Sequence, residues 1–334
     1  MGTEPVCRPT DSRGHQHLEL MTTMQQTSEH SPTPLYRFWT PRYWPMWCLL
    51  GGLRLGALLP FKMQLKVSSV LGRTLSVLVP VRRRVVSANL SLCFPDLSKS
   101  ERKQLARSHF GSLGMMLFEL ALAWWASDER LAKLTRVEGL ENLLTPIREG
   151  KPVIAVSGHF AGQEVAGRVV GRHFSNAAAV YRRSNNALFD EWLRRGRLRT
   201  LSRLVPKEDA RQMVRLLRAG TPLWYASDQS YRRKHSALVP FFGEPAMTST
   251  ALSDIARLGR AVVVPYFPRR LADGSGYVVE IAPALEDFPS GDVQADAVRI
   301  HELLENQIRK APEQYYWVHR RFKGRPEGYP DPYA

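Results

Sequence analysis

The chain has 334 residues, 44% of them hydrophobic, enough for one large or two modest folded domains. Lys and Arg outnumber Asp and Glu 47 to 31, a formal net charge of +16, so the expected partner is anionic, with membrane phosphates and nucleic acid both qualifying. The three cysteines, Cys7, Cys48 and Cys93, form no C-x-x-C pair and are odd in number, which argues against a disulfide framework or a zinc module and fits a reducing compartment.

Residues 1–34 are polar, rich in Thr, Ser, Gln and His, with neither helical nor strand periodicity, and read as a disordered leader. They lack the basic start and apolar centre of a signal peptide, and Val6 stands where a myristoylation signal needs Ser or Thr. Residues 35–66 read as a membrane anchor. The run from Tyr43 to Phe61 matches the roughly 20 residues of a bilayer span, carries only Arg54 as a charge, and is entered through Trp39, Tyr43, Trp44 and Trp47. Arg54 and the bounding prolines leave open a span, a re-entrant hairpin or an interfacial helix; the alternative is a buried core helix. A second apolar stretch, Val67 to Val81, ends in Arg82-Arg83-Arg84, which suits anionic headgroups on the cytoplasmic side or simply a solvated face.

Residues 67–334 read as the catalytic domain. Leu105, Phe110, Leu113, Leu117 and Leu120 recur at helical spacing between Lys103 and Trp125. Strands are then expected at 153–157, 177–181, 223–227, 261–267 and 277–281, and helices at 163–174, 187–199, 207–219, 249–258 and 293–310. This alternation predicts an α/β fold with helices on the faces of one sheet and functional residues at strand ends.

One such end carries His159-Phe-Ala-Gly-Gln-Glu164, just after the apolar run Val153–Ser157. Imidazole can accept and return a proton near neutral pH, and Glu164, in the first turns of the following helix, is placed to fold back on its second nitrogen. No G-x-S-x-G elbow surrounds Ser157, so the base would act on a substrate hydroxyl directly, as in a transferase. No H-E-x-x-H or similar ligand spacing accompanies it, so no metal is expected. The bland alternative is a strand-end histidine bonded to a loop carbonyl. Three more clusters lie at expected strand ends: Tyr181-Arg182-Arg183, Asp228-Gln229-Ser230-Tyr231-Arg232, and Arg269-Arg270. Arginines there could clamp phosphates or stabilise a developing oxyanion, or could be merely paired or exposed.

These residues, with Pro41–Trp44, Asn89–Pro95, Gly196–Arg199, Trp224–Ala226, Val264-Pro265, Ala311–Lys323 and Arg325–Gly328, resemble the lipid A biosynthesis late acyltransferases of Gram-negative bacteria. The lauroyl/myristoyl acyltransferase family shares an H-x4-[DE] motif with glycerolipid acyltransferases; here the motif is His159 to Glu164, and the likeness covers residues 35–333. The resemblance implies a mixed sheet flanked by helices, glycerolipid acyltransferase-like, behind an N-terminal membrane-anchoring helix. It implies an inner-membrane enzyme with its catalytic domain facing the cytoplasm. The enzyme would move a fatty acyl chain from acyl carrier protein to a hydroxyl of a Kdo-bearing lipid A precursor, using no cofactor. His159 would be the base, Glu164 would orient it, and Arg182, Asp228, Gln229 and Arg232 would bind substrate. The Arg-Arg-Phe-Lys and Arg-Pro-Glu-Gly tail is closer to the lauroyl type. Alternatives are an acyltransferase acting on another glycolipid or aminolipid, a hydrolase, and a non-catalytic protein that binds anionic lipid; no nucleic-acid-binding motif is present.

Overall fold

A computed structural model describes residues 32–230 and 235–334; the expected leader lies almost wholly outside them, and so does Arg232. The described residues up to Thr40 form a unit of their own, with a 3-10 turn over Leu35–Phe38. The remainder, Pro41–Ala334, is a second unit.

Pro60 breaks the apolar entry segment in two. Helix α1 spans Trp44–Gly56 and α2 spans Phe61–Leu78, entered directly from Pro60. Thirteen residues rise about 20 Å, short of the roughly 30 Å of a bilayer core. No helix among the described residues is long and apolar enough to cross a membrane. The turn between the helices is held from within. Gln64, fully buried, donates to Gly56 O and Leu59 O, and Arg130 donates to Ala57 O and Leu59 O, which satisfies carbonyls that the end of α1 leaves unpaired.

The chain continues through α3 (Pro80–Cys93) into α4 (Lys99–Trp125), which opens with a capping box between Ser98 and Glu101. Helices α2 and α4 cross with their backbones nearly touching. A Cβ on Gly72 would stand 1.9 Å from Phe110 O, and one on Gly114 would stand 2.2 Å from Ser68 O, so only glycine fits either position.

After α5 (Asp128–Leu134) come β1 (Thr135–Glu138), α6 (Leu140–Arg148), β2 (Val153–Ser157), α7 (Gln163–Gly171), β3 (Ala178–Tyr181), α8 (Ala187–Arg197), β4 (Arg203–Pro206), α9 (Ala210–Arg218) and β5 (Leu223–Ala226). The hairpin β6 (Ser236–Phe241) and β7 (Glu244–Ser249), α10 (Ala251–Gly259), β8 (Val262–Arg270), β9 (Tyr277–Ile281) and α11 (Val293–Lys310) complete the fold. Seven strands form one sheet in the order β1-β9-β8-β2-β5-β3-β4, parallel except where β8 meets β9. This is the mixed, helix-flanked α/β sheet that the alternating pattern predicts. On one face, Ile154, Val156 and Val263 pack with α9, α10, α11 and the C-terminal segment. On the other, Val153, Ala155, Val264 and Tyr266 pack with α6 and α7. β2 is buried at all five positions between two parallel neighbours, so its carboxyl end opens at a point where connections leave to both sides. Such crevices are where ligands bind in open α/β sheets.

Candidate active site

His159 follows the end of β2, and its surroundings are fixed by elements far away in sequence. Ser227 N donates to Ser157 O, which carries the β2–β5 pairing to the end of both strands and sets Asp228 beside His159. Asp228 Oδ1 lies 2.6 Å from His159 Nδ1, and Oδ2 accepts from the His159 backbone N–H at 2.9 Å. Only 2% of the Asp228 side chain is exposed, against 37% of the imidazole. A carboxylate only accepts, so the Nδ1 proton is retained and the Nε2 lone pair faces outward, where the Gln229 amide nitrogen sits 3.3 Å away and can donate to it. Burial by itself lowers the imidazole's pKa. The charge and hydrogen bond of Asp228 outweigh that and leave His159 more basic than a free histidine, with Arg197 opposing and Glu164 adding to the effect. Asp228 is likewise penalised by burial, yet the same pairing, together with Arg321 behind it, holds its carboxyl well below the usual range.

Glu164 does not reach the imidazole. It stands in the first turn of α7, and both its oxygens are gripped by Arg197 of α8, with Arg197 Nε to Oε2 at 3.2 Å and Nη2 to Oε1. Orientation of the base through Glu164, as the spacing suggests, gives way to orientation through Asp228. The reason is helical geometry: once Gly162, at φ 80°, starts α7, the side chain at 164 leaves along the helix face turned toward α8. Arg182 lies exposed on the loop after β3, at the same sheet edge. Two of the other arginines expected there are employed elsewhere. Arg269 pairs with Glu280 at 2.9 Å, and Arg270, buried, pairs with Glu119 at 2.6 Å, so neither is free to clamp a phosphate.

Glu119 itself is a functional residue that sequence patterning does not reveal. Its Oε2 accepts the Gly162 N–H at 2.7 Å while Oε1 takes Arg270 and the Tyr277 hydroxyl, so α4 holds the loop that carries the base. The one available signal is a lone carboxylate among the apolar residues at the end of α4. The C-terminal segment closes the other side. Tyr316 N donates to His159 O, Ala161 N to Gln314 O, and Ser230 N to the ring of His319, whose pKa burial pushes down to about 4 so that it accepts as a neutral imidazole.

Beside the motif an apolar cavity of about 900 Å³, including its open mouth, runs beneath α7 along the sheet. Glu164 and Arg197 flank it, and small residues such as Ala155, Ala178, Gly167 and Gly171 make its room.

A model of the bacterial lipid A biosynthesis acyltransferases matches residues 33–324. The chain belongs to the lipid A biosynthesis acyltransferase family. It is 37% identical to an Escherichia coli lipid A biosynthesis lauroyltransferase over 88% of this chain and 96% of that one. It is 38% identical to the E. coli palmitoleoyltransferase over 87% and 95%, and 28% identical to the E. coli myristoyltransferase over 94% and 97%. Within the acyltransferase family the chain is thus nearer the lauroyl and palmitoleoyl types than the myristoyl type.

Proposed function

We propose that this acyltransferase moves a fatty acyl group from the thioester of acyl carrier protein to a hydroxyl of a Kdo-bearing lipid A precursor, with His159 as general base. The observation that carries the reading is the His159–Asp228 pair. It leaves a basic Nε2 at the mouth of a crevice, beside the apolar cavity that Gln163 and Glu164 of the same motif help to line. His159 takes the acceptor's proton, the alkoxide attacks the thioester, and Asp228 stabilises the imidazolium that forms. A thioester is already activated, so the reaction as drawn uses no cofactor, metal or acyl-enzyme. Glu164 and Arg197 set the side of the cavity on which the acyl chain lies. Arg182, Gln229 and Arg232 supply polar contacts for the phosphorylated acceptor.

The same reading places the protein at the cytoplasmic face of the inner membrane. Leu55 of α1, Leu58 of the α1–α2 turn and Val70 and Leu78 of α2 are between 63 and 69% exposed, apolar side chains that suit the acyl boundary of a bilayer. Lys62, Lys66 and Arg82–Arg84 nearby suit anionic headgroups. The test is transfer by the purified protein from an acyl carrier protein donor to a lipid A precursor, followed by mass spectrometry. Wild type should add one acyl chain, and His159→Ala, folded and membrane-bound, should lose at least about a hundredfold in turnover. A His159→Ala protein working at the wild-type rate would remove the histidine from the reaction.

A further inference from the structure

Four buried polar atoms around α7 and the strands under it have no protein hydrogen-bond partner: Ser157 Oγ, Gln163 Oε1, Trp224 Nε1 and the Tyr266 hydroxyl. Gln163, Trp224 and Tyr266 also line the apolar cavity. Leaving a buried polar group unpaired is costly, and the great majority of such groups in folded proteins are paired. Three of them line one apolar cavity, where a bound ligand could supply the missing partner. An indole N–H can only donate, and the two hydroxyls each have a hydrogen to give, so what these groups lack is chiefly an acceptor. A hydrocarbon chain has none. The acceptor an acyl thioester brings into such a cavity is its carbonyl oxygen.

Register selects Tyr266 among the donors. β2 and β8 pair up to Val156 and Pro265, so Tyr266, the next residue, lies level with Ser157, two residues before His159. Trp224 is level with Ala155, two residues deeper along the sheet and so roughly 6–7 Å farther from the edge. Tyr266 shares the α7-facing surface with Val153, Ala155 and Val264, is only 3% exposed, and has the small Ala155 rather than a bulky side chain on the neighbouring strand. Burial and the nearby Glu164 push its phenol pKa far upward, so it stays a neutral donor. Glu164 would repel an oxyanion, but the Arg197 guanidinium bound to both its oxygens offsets that charge.

We propose that the Tyr266 hydroxyl donates a hydrogen bond to the carbonyl oxygen of the acyl thioester and stabilises the oxyanion formed there, an assignment that rests on the acyl-transfer reading above. As the acceptor oxygen bonds to the carbonyl carbon, its proton passes to His159 Nε2 and the carbonyl π pair moves onto oxygen, toward Tyr266. Collapse restores the carbonyl, breaks the C–S bond, and the departing thiolate takes the proton back from the imidazolium. Tyr266 keeps its own proton throughout.

Tyr266→Phe removes only the oxygen. Turnover should fall by about 10²- to 10³-fold, the loss typical of one oxyanion donor, with the donor KM little changed and the melting temperature unchanged or higher. A folded Tyr266→Phe protein within about twofold of wild-type turnover would overturn the assignment. A second measurement does not depend on that variant: the infrared carbonyl stretch of a carbon-13-labelled acyl thioester bound to His159→Ala protein. It should lie below that of the same thioester in detergent micelles, and an unshifted stretch would also overturn the assignment. An inactive wild type would instead count against the acyl-transfer reading, so the two failures are told apart.

Discussion

A neutral imidazole acts as a base only when one nitrogen holds a proton and the other is bare, and Asp228 imposes that arrangement on His159 from a distance of 2.6 Å. Asp228→Asn presents a donor where an acceptor stood and favours the opposite tautomer, so turnover should drop by about 10³- to 10⁴-fold with the fold intact, as measured by initial rates and circular dichroism. The pH profile gives the sign. Because Asp228 raises the pKa of His159, the wild-type kcat/KM should decline as pH falls through a value above that of a free histidine. In the residual activity of Asp228→Asn that acid limb should move to lower pH. Glu164→Gln should leave the limb almost in place, since Glu164 acts mainly through Arg197, and should instead raise the donor KM as the side of the cavity loosens. An acid limb that moves as far in Glu164→Gln as in Asp228→Asn would return Glu164 to the imidazole. His159 was legible because base and helix start lie within six residues. Its true partner is 69 residues away. That pairing exists only because the sheet order sets β5 against β2, which no local pattern encodes. Arg197 was visible as one charge in a basic run, without any sign that Glu164 would claim it.

Elements with strong patterns emerge where the periodicity puts them: β2, β9 and α11 have the expected limits, and α4 starts four residues earlier because Ser98 and Glu101 cap it. Strands β1 and β4, four residues each, are too short to show alternation, and the hairpin β6–β7 has polar and proline positions that dilute its signal. The expected single anchor became two helices because Pro60 cannot continue α1. What the pattern could not show is how closely α2 must approach α4. Gly72→Ala or Gly114→Ala inserts a methyl into a backbone contact near 2 Å, which forces the helices apart. Each should destabilise by about 1–3 kcal/mol, read as a lower denaturation midpoint, with both together losing the α2–α4 contact. A wild-type midpoint for either would mean that the helices do not cross at this distance.

For the whole molecule, the apolar α1–α2 surface and the net charge of +16 predict how it meets a bilayer. Flotation with vesicles should be stronger on anionic than on neutral lipid and weaken with salt in proportion to the headgroup contribution. Leu55→Asp combined with Leu78→Asp should abolish flotation on neutral vesicles while leaving turnover of detergent-dispersed substrate near wild type. Undiminished flotation of that double variant would place the membrane contact elsewhere.

The C-terminal segment has a consequence for the timing of activity. Gln314, Tyr316 and His319 bond the loops at the ends of β2 and β5, while Trp317 O and His319 O are taken by Asn89, whose side-chain oxygen also accepts the hydroxyl of Tyr333. A nascent chain can dock its entry helices and fold much of its sheet before these residues leave the ribosome, yet its base still lacks one wall. Acyl transfer should therefore begin only after residues 314–319 have docked against the ends of β2 and β5, so the last wall of the site to be laid is also the one that switches it on.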